Sequence, residues 1–176
     1  MIFDDRMDRL KRRAELASGK LLPDMVLTNC KVINVFNGKI IHGNIAIDGG
    51  KIIGIGPYEA KEKIDLGGAY VAPGLIDAHM HMESTLVTPG QMARIIVPRG
   101  TTTVVADPHE IANVLGIEGV EFMLDATEKT TLNGFFMLPS CVPSTDFETS
   151  GAKLNANKLS ELFNHPKVLG LGELMN

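Results

Sequence analysis

The 176-residue chain has no excess of positive charge and no long apolar run, and each absence excludes a class of protein. Its formal net charge is -4 and its pI is about 5.7, whereas a nucleic-acid-binding domain normally carries a basic patch or stripe. No apolar run approaches the roughly 18 residues that a membrane-spanning helix needs. The sequence therefore predicts a protein that binds neither nucleic acid nor a membrane.

Cysteine is also scarce, since the chain has only Cys30 and Cys141, which lie far apart. The N-terminal residues lack the apolar h-region of a secretory signal, and stable disulfides belong mainly to exported proteins. The simpler interpretation is a reduced chain in the cytoplasm. The 44% of hydrophobic residues is enough to build a packed core.

The chain is predicted to begin with a charged helix followed by a small β unit. Residues 1–23 form the helix, which is closed by Pro23, and its basic cluster is either a solvated face or a contact with an acidic partner. Residues 24–71 carry short apolar runs cut by Asn-Gly and Gly-Gly, which predict about five antiparallel strands. Within them, Asp48-Gly49-Gly50 predicts a tight hairpin, because glycine supplies the positive φ that a two-residue turn demands.

Residues 72–176 alternate between apolar strands and amphipathic helices. The strands are predicted at "GLIDAHMH", "TTTVVADP", "GFFMLPS" and "KVLGLGEL". The helices between them are predicted at "TPGQMARIIVPRG", "HEIANVLGIEGVEFMLDATEKT" and "ANKLSELFNHP", the second in two pieces around Gly116. This alternation indicates an α/β fold with parallel strands and right-handed crossovers. It fits an open sheet and equally the first half of a (β/α)8 barrel.

The pair His79 and His81 closes the first of these strands. Residues i and i+2 of a strand point to the same face, about 6–7 Å apart, so the two imidazoles can converge on one cation. Such a pair alone is weak evidence, because exposed or core-satisfied histidines share the pattern. Its place at the carboxyl end of a parallel strand favours a metal site, because α/β folds gather their active sites there.

The other three strands also end in polar residues, which predicts one shared rim. These residues are Asp107, His109 and Glu110 after the second strand, Ser140 and Cys141 after the third, and Glu173 and Asn176 after the fourth. Simpler interpretations exist for three of them. Asp107 can cap the following helix, His109 can be a helix N-terminal residue without a ligand, and Cys141 can be a small buried hydrophobe. Glu173 is harder to dismiss, because an acid that closes an apolar strand needs a partner such as a cation.

Several motifs together carry a resemblance to a known family. "VAPGLIDAHMHMEST" is similar to the first-strand signature of the amidohydrolase superfamily. "TTTVVADPHEIANVLG", "FFMLPSCVPST" and "VLGLGELMN", in this order, resemble the adenine deaminases of the bacterial and archaeal type. The resemblance covers about residues 24–176, departs only slightly at Thr85, and fits the charged N-terminal helix as well. It implies the first half of a metal-dependent (β/α)8 TIM-like barrel, preceded by part of a small β-sandwich domain.

The resemblance also implies roles for individual residues. His79 and His81 correspond to two metal ligands on the first barrel strand. Glu173 corresponds to a carboxylate that bridges two divalent metals, where many relatives have a carboxylated lysine. Glu83 and His109 correspond to polar residues near the site and are predicted to be catalytic. Imidazole and carboxylate ligands suit manganese, iron or zinc.

The implied reaction is hydrolytic deamination of adenine to hypoxanthine and ammonia. Members of the family are several hundred residues long, so the remaining ligands are expected beyond Asn176, and the 176-residue piece alone is expected to be inactive. A half barrel exposes sheet edges, which favours a homo-oligomer. Two alternatives remain open at this point: another amidohydrolase acting on a cyclic amide or nucleobase, and a non-catalytic assembly module.

Overall fold

The structure, a computed structural model, describes the backbone of residues 2–175 and the side chains of residues 6–175. The chain divides into two compact units, one extending to Pro73 and the other beginning at Gly74. Among the described residues, no helix is both long enough and apolar enough to cross a membrane.

The first unit begins with helix α1, Ile2–Ala17. The predicted charged helix is therefore confirmed, although it ends before Pro23. Most of its described side chains are exposed, but Leu16 is fully buried. Arg12 attaches the helix to the sheet, because its guanidinium donates two hydrogen bonds to the Asp48 carboxylate, at 2.8 and 3.0 Å.

A five-stranded sheet makes up the rest of the first unit. Its strands are β1 (Met25–Asn34), β2 (Lys39–Asp48), β3 (Lys51–Ile55), β4 (Glu62–Asp65) and β5 (Tyr70–Val71). β1, β2 and β3 are antiparallel neighbours, but β4 and β5 both pair parallel to β1. The prediction of an all-antiparallel unit is therefore wrong for the last two strands. After β3 the chain crosses to the far side of β1, and this crossover sets the strand direction.

The predicted hairpin joins β2 to β3. Asp48 pairs with Lys51, so that Gly49 and Gly50 form a two-residue turn with φ values of +53° and +70°. Positive φ at both turn positions is what this kind of hairpin requires, and glycine adopts it without steric cost. The sequence prediction is confirmed.

The second unit is a parallel α/β assembly, as the alternating pattern predicted. Its four strands lie in the order β6-β7-β8-β9, and each neighbouring pair is parallel. The elements are β6 (Leu75–Met80), α2 (Pro89–Ile96), β7 (Thr101–Ala106), α3 (His109–Leu115), α4 (Ile117–Glu128), β8 (Asn133–Leu138), α5 (Ala156–Ser160) and β9 (Val168–Leu171).

Local residue chemistry explains most of the helix boundaries in this unit. Pro89 opens α2, where its missing N–H would have no helical partner, and Gly116 separates α3 from α4 with φ +64°. The last helix is shorter than predicted. α5 spans five residues, begins with an Asn155 side chain that accepts from the Lys158 N–H, and continues only as turns.

The core of the second unit lies on one face of the β6–β9 sheet. Alternate residues of β7 and β8 point into it, so that Val104, Ala106, Phe136 and Leu138 are almost wholly buried. Helices α2, α3 and α4 contribute Met92, Ala112 and Val120, among others, to the same cluster. This packing holds the four strands in place, and because they are parallel their carboxyl ends lie at a common edge of the sheet.

Candidate metal centre

His79 and His81 lie side by side at the carboxyl end of β6. Their ring centroids are 5.1 Å apart and the rings meet edge to face at 87°. The strand ends at Met80, one residue earlier than the sequence predicted, and its pairing with β7 shifts register between Asp77 and Met80. The two imidazoles nevertheless face the same space, as expected from their spacing.

Glu173 follows β9, at the opposite edge of the sheet from β6, and its side chain reaches the same space. One of its oxygens, Oε2, is 3.7 Å from His79 Nε2, and the other, Oε1, is 3.7 Å from His81 Nε2. The ligand atoms of these three residues all lie within 4.8 Å of one another. We call His79, His81 and Glu173 the three-residue cluster.

The three-residue cluster fits a divalent cation in both spacing and chemistry. A zinc ion binds imidazole nitrogen and carboxylate oxygen at about 2.0–2.2 Å, which places two tetrahedral ligands roughly 3.4 Å apart. The two nitrogen–oxygen separations of 3.7 Å, one to each Glu173 oxygen, are close to that value, and no pair of ligand atoms is more than 4.8 Å apart. Imidazole with carboxylate also suits manganese and iron. Three protein ligands with a remaining open position are typical of catalytic rather than structural metal sites.

Glu110, at the start of α3, stands behind His81. Its Oε2 is 3.1 Å from His81 Nδ1, although the two are not aligned as a hydrogen bond, and Ser84 Oγ donates to its Oε1 at 2.9 Å. Burial alone would raise the pKa of Glu110, but hydrogen bonds, one of them from Ser84, outweigh it and hold that pKa below its usual range. A carboxylate beside the second ring nitrogen is the usual neighbour of a metal-binding histidine.

Glu83, predicted to be catalytic, lies in a short 3-10 helix directly after β6. Its Oε1 accepts the Ile111 N–H at 3.1 Å, while its buried Oε2 has no hydrogen-bond partner. Burial raises the pKa of Glu83, and the neighbouring Glu110 acts in the same direction.

His109, the other residue predicted to be catalytic, is buried at the first position of α3. Its Nε2 lies 3.3 Å from Asn113 Nδ2, and its Nδ1 has no hydrogen-bond partner. Within the part of the chain that the structure describes, no hydrogen bond or ion pair joins Glu83 or His109 to the three-residue cluster. Their catalytic roles stay predictions.

Asp107 has a closer link to the cluster than the sequence suggested. Its side chain is fully buried, and its Oδ2 accepts the backbone N–H of Glu173 at 3.0 Å. The alternative that Asp107 caps α3 is wrong, because its Oδ2 accepts from Glu173 and its Oδ1 has no hydrogen-bond partner, so neither oxygen accepts an N–H of that helix. Burial raises the pKa of Asp107, against the opposing effects of the Glu173 N–H and the nearby histidines.

The third strand supplies neighbours of Glu173 rather than ligands. Ser140 Oγ donates to the Glu173 carbonyl at 2.8 Å, and Cys141 Sγ accepts the Met175 N–H at 3.5 Å. Cys141 is partly exposed, so it is not the wholly buried hydrophobe that its residue type suggested. Asn176, placed at the same rim by the sequence pattern, lies outside the described residues.

Comparison with known proteins places these residues in a family. The profile of the amidohydrolase family matches residues 70–176. The chain is 53% identical over 167 residues to adenine deaminase from Clostridium acetobutylicum, covering 95% of this chain and 29% of that protein. It is 52% identical over 170 residues to adenine deaminase 2 from Carboxydothermus hydrogenoformans, covering 97% of this chain and 30% of that protein. The chain thus spans about three tenths of the length of these curated relatives.

Solved structures share the fold at low sequence identity. Atrazine chlorohydrolase from Arthrobacter aurescens, in complex with zinc, matches with a TM-score of 0.58 at 16% identity, over 84% of this chain and 46% of that chain. A dihydroorotase matches with a TM-score of 0.51 at 18% identity, over 84% of this chain and 41% of that chain. The predicted fold class, α/β with the first units of a (β/α)8 barrel, is confirmed.

Proposed function

The chain belongs to the amidohydrolase family, and we propose that it supplies part of the metal centre of a hydrolase that converts adenine to hypoxanthine and ammonia. The single observation that carries the proposal is the convergence of two imidazoles and one carboxylate at the carboxyl ends of β6 and β9. Its substrate is inferred from the adenine deaminases that match almost all of the chain.

Each member of the cluster has a part in holding the metal. We propose that His79 and His81 bind through Nε2, the atoms that face Glu173. Glu173 could complete a site for one cation with both histidines through one oxygen, which would leave its other oxygen for a second metal. Glu110, beside His81 Nδ1, favours the tautomer that leaves Nε2 available. Manganese, iron and zinc all suit this ligand set.

The chemistry of adenine explains why a metal is needed. Hydrolysis at C6 requires a strong nucleophile near neutral pH, and a bound divalent cation lowers the pKa of water to about 7. The residues of this chain hold and orient the cation at the edge where the four strands end. Glu83 and His109 remain proposed catalytic residues, since each keeps one buried polar atom without a hydrogen-bond partner.

A chimaera tests the proposed reaction directly. This chain would replace the matching 29% of the Clostridium acetobutylicum adenine deaminase, and conversion of adenine to hypoxanthine would be followed by ultraviolet absorbance. We expect the chimaera to deaminate adenine and its Glu173→Ala variant to lose at least ~100-fold in kcat/KM, since even residues behind metal ligands contribute about 10–100-fold. The 176-residue chain assayed alone with added metal is expected to show almost no turnover.

Controls separate this result from its alternatives. Glu121→Ala, an exposed glutamate on α4, should leave turnover unchanged. If a folded, metal-loaded chimaera leaves adenine intact but hydrolyses dihydroorotate or another cyclic amide, the chain belongs to a different amidohydrolase activity. If it turns over no substrate at all, the assembly-module alternative is favoured.

We further propose a cytoplasmic homo-oligomer. Both cysteines are free thiols, as expected of a reducing compartment. β6 and β9 are the outer strands of the described parallel sheet, and Leu75, Ile76, Leu169 and Leu171 on them are more than half exposed. Exposed apolar edge strands favour association. Sedimentation velocity should show a species larger than 19.0 kDa, and a monomer at all concentrations would contradict the oligomer.

A further inference from the structure

Asp107 occupies an unusual place for a residue that closes a strand. It follows β7, yet its side chain bonds to the end of β9, with β8 lying between the two strands in the sheet. Asp107 Oδ2 accepts the Glu173 N–H at 3.0 Å, across 66 positions of sequence. The carboxylate therefore spans the carboxyl end of β8 to reach the backbone of a cluster residue.

Gly172 makes this approach possible. A Cβ atom added there would lie 2.0 Å from Asp107 Oδ2 and 2.7 Å from its Cγ. Gly172 does not have a positive φ, so the reason for glycine is space rather than backbone conformation. Any larger residue would push the Asp107 carboxylate away from the Glu173 N–H.

Hydrogen bonds from the neighbouring strand hold the same short segment. The Gly172 N–H donates to the Leu138 carbonyl at 2.7 Å, and Ser140 Oγ donates to the Glu173 carbonyl at 2.8 Å. Both come from β8 and its following loop, whereas the bond to Asp107 ties the Glu173 backbone to the end of β7, the strand next to β6. Asp107 thus links the backbone of Glu173 to the side of the sheet that carries the histidines.

We propose that Asp107 is a positioning residue that, by accepting the Glu173 N–H, fixes the Glu173 carboxylate where it can share a cation with His79 and His81. This inference rests on the proposed metal centre. It assigns Asp107 a role through the backbone of Glu173, not through contact with the metal. The rival role, direct ligation through the buried and unpartnered Oδ1, makes a different prediction for an amide at this position.

The test uses the 176-residue chain with three substitutions and two readouts. Asp107→Ala removes the acceptor, Gly172→Ala displaces it, and Asp107→Asn keeps a carbonyl oxygen that can accept the same N–H. The first readout is the hydrogen-exchange rate of the Glu173 amide by NMR without metal. The second is the dissociation constant for Zn²⁺ by competition with a chelating dye. Asp125→Ala, an exposed aspartate on α4, is the matched control.

The positioning role predicts a specific pattern. Asp107→Ala and Gly172→Ala should both speed exchange of the Glu173 amide and weaken zinc binding about 10–100-fold. Asp107→Asn should restore both properties to within about threefold of the wild-type chain, and Asp125→Ala should change neither. Circular dichroism shows whether each variant is folded. If Asp107→Ala does not fold, the two single variants Gly172→Ala and Asp107→Asn test the positioning role.

Three results would overturn the proposal. If Asp107→Asn binds zinc as weakly as Asp107→Ala while the Glu173 amide stays protected, Asp107 is itself a ligand. Suppose that zinc binding by the wild-type chain depends on His79, but Asp107→Ala and Gly172→Ala bind zinc as tightly as the wild-type chain. The metal centre then stands, and Asp107 has no positioning role. If the wild-type chain binds no zinc, the metal centre fails and this role fails with it.

Discussion

A His79→Ala chain is expected to bind zinc at least ~100-fold more weakly than the wild-type chain. His79 supplies one of three ligand atoms that lie within 4.8 Å of one another, and its ring centroid is 5.1 Å from that of His81. Residues that only support a ligand contribute about 10–100-fold to affinity, so loss of a ligand should cost more. Isothermal titration with Zn²⁺ measures both the affinity and the number of sites.

The chain provides its own control histidines for this experiment. His42 lies exposed in β2, in the other unit, and His165 lies in the turn before β9, where its Nε2 is 3.9 Å from Glu128. His42→Ala and His165→Ala should each bind zinc as the wild-type chain does. Equal affinity in His79→Ala and the wild-type chain would refute the ligand assignment.

Phe136→Ala is expected to lower the free energy of unfolding by about 3–5 kcal/mol, the usual cost of removing a buried aromatic side chain. Phe136 is 1% exposed at the centre of β8 and belongs to the core on which β7, β8 and the helices pack. Its removal leaves a cavity that close-packed neighbours fill only in part. Urea denaturation followed by circular dichroism measures the change.

Phe147 is the matched control for this substitution. It is fully exposed in the loop after β8, so Phe147→Ala should change the free energy of unfolding by no more than about 0.5 kcal/mol. A loss below about 1 kcal/mol in Phe136→Ala would mean that the β6–β9 sheet is not packed as described. Zinc affinity measured on the same variant would show how far the strand ends depend on that core.

Features set by local chemistry were predictable from the sequence. The hairpin at Gly49 and Gly50 follows from the need for positive φ, and the break at Gly116 follows in the same way. The four parallel strands followed from the alternation of apolar runs with amphipathic segments. Each of these features depends on residues within a few positions of one another.

Pairing between distant segments was harder to predict. β4 and β5 are short and mostly exposed. Their own residues do not indicate that they pair parallel to β1 rather than antiparallel to β3. Their direction depends on the path of the chain around the sheet. The register shift of β6 against β7 between Asp77 and Met80 is likewise not revealed by residue periodicity.

In the candidate site, too, features that depend on nearby residues were predictable, and contacts between distant segments did not follow from residue spacing. The spacing of His79 and His81 predicted their shared direction, and the family resemblance predicted Glu173 as their partner. For Asp107 the sequence leaves helix capping open beside a place at the shared rim, because aspartate before a helix is common for that reason. Its actual partner is a backbone N–H 66 residues away. A strand-end glycine before an acid, as in Gly172-Glu173, was the one local sign of a close approach there.

The most direct test of the metal centre is a crystal structure of the 176-residue chain grown with Zn²⁺, with anomalous diffraction collected at the zinc edge. We expect an anomalous peak about 2.0–2.2 Å from the Nε2 atoms of His79 and His81 and from a carboxylate oxygen of Glu173. The absence of a peak at these three residues, including the case in which zinc binds only elsewhere in the chain, would contradict the proposed metal centre.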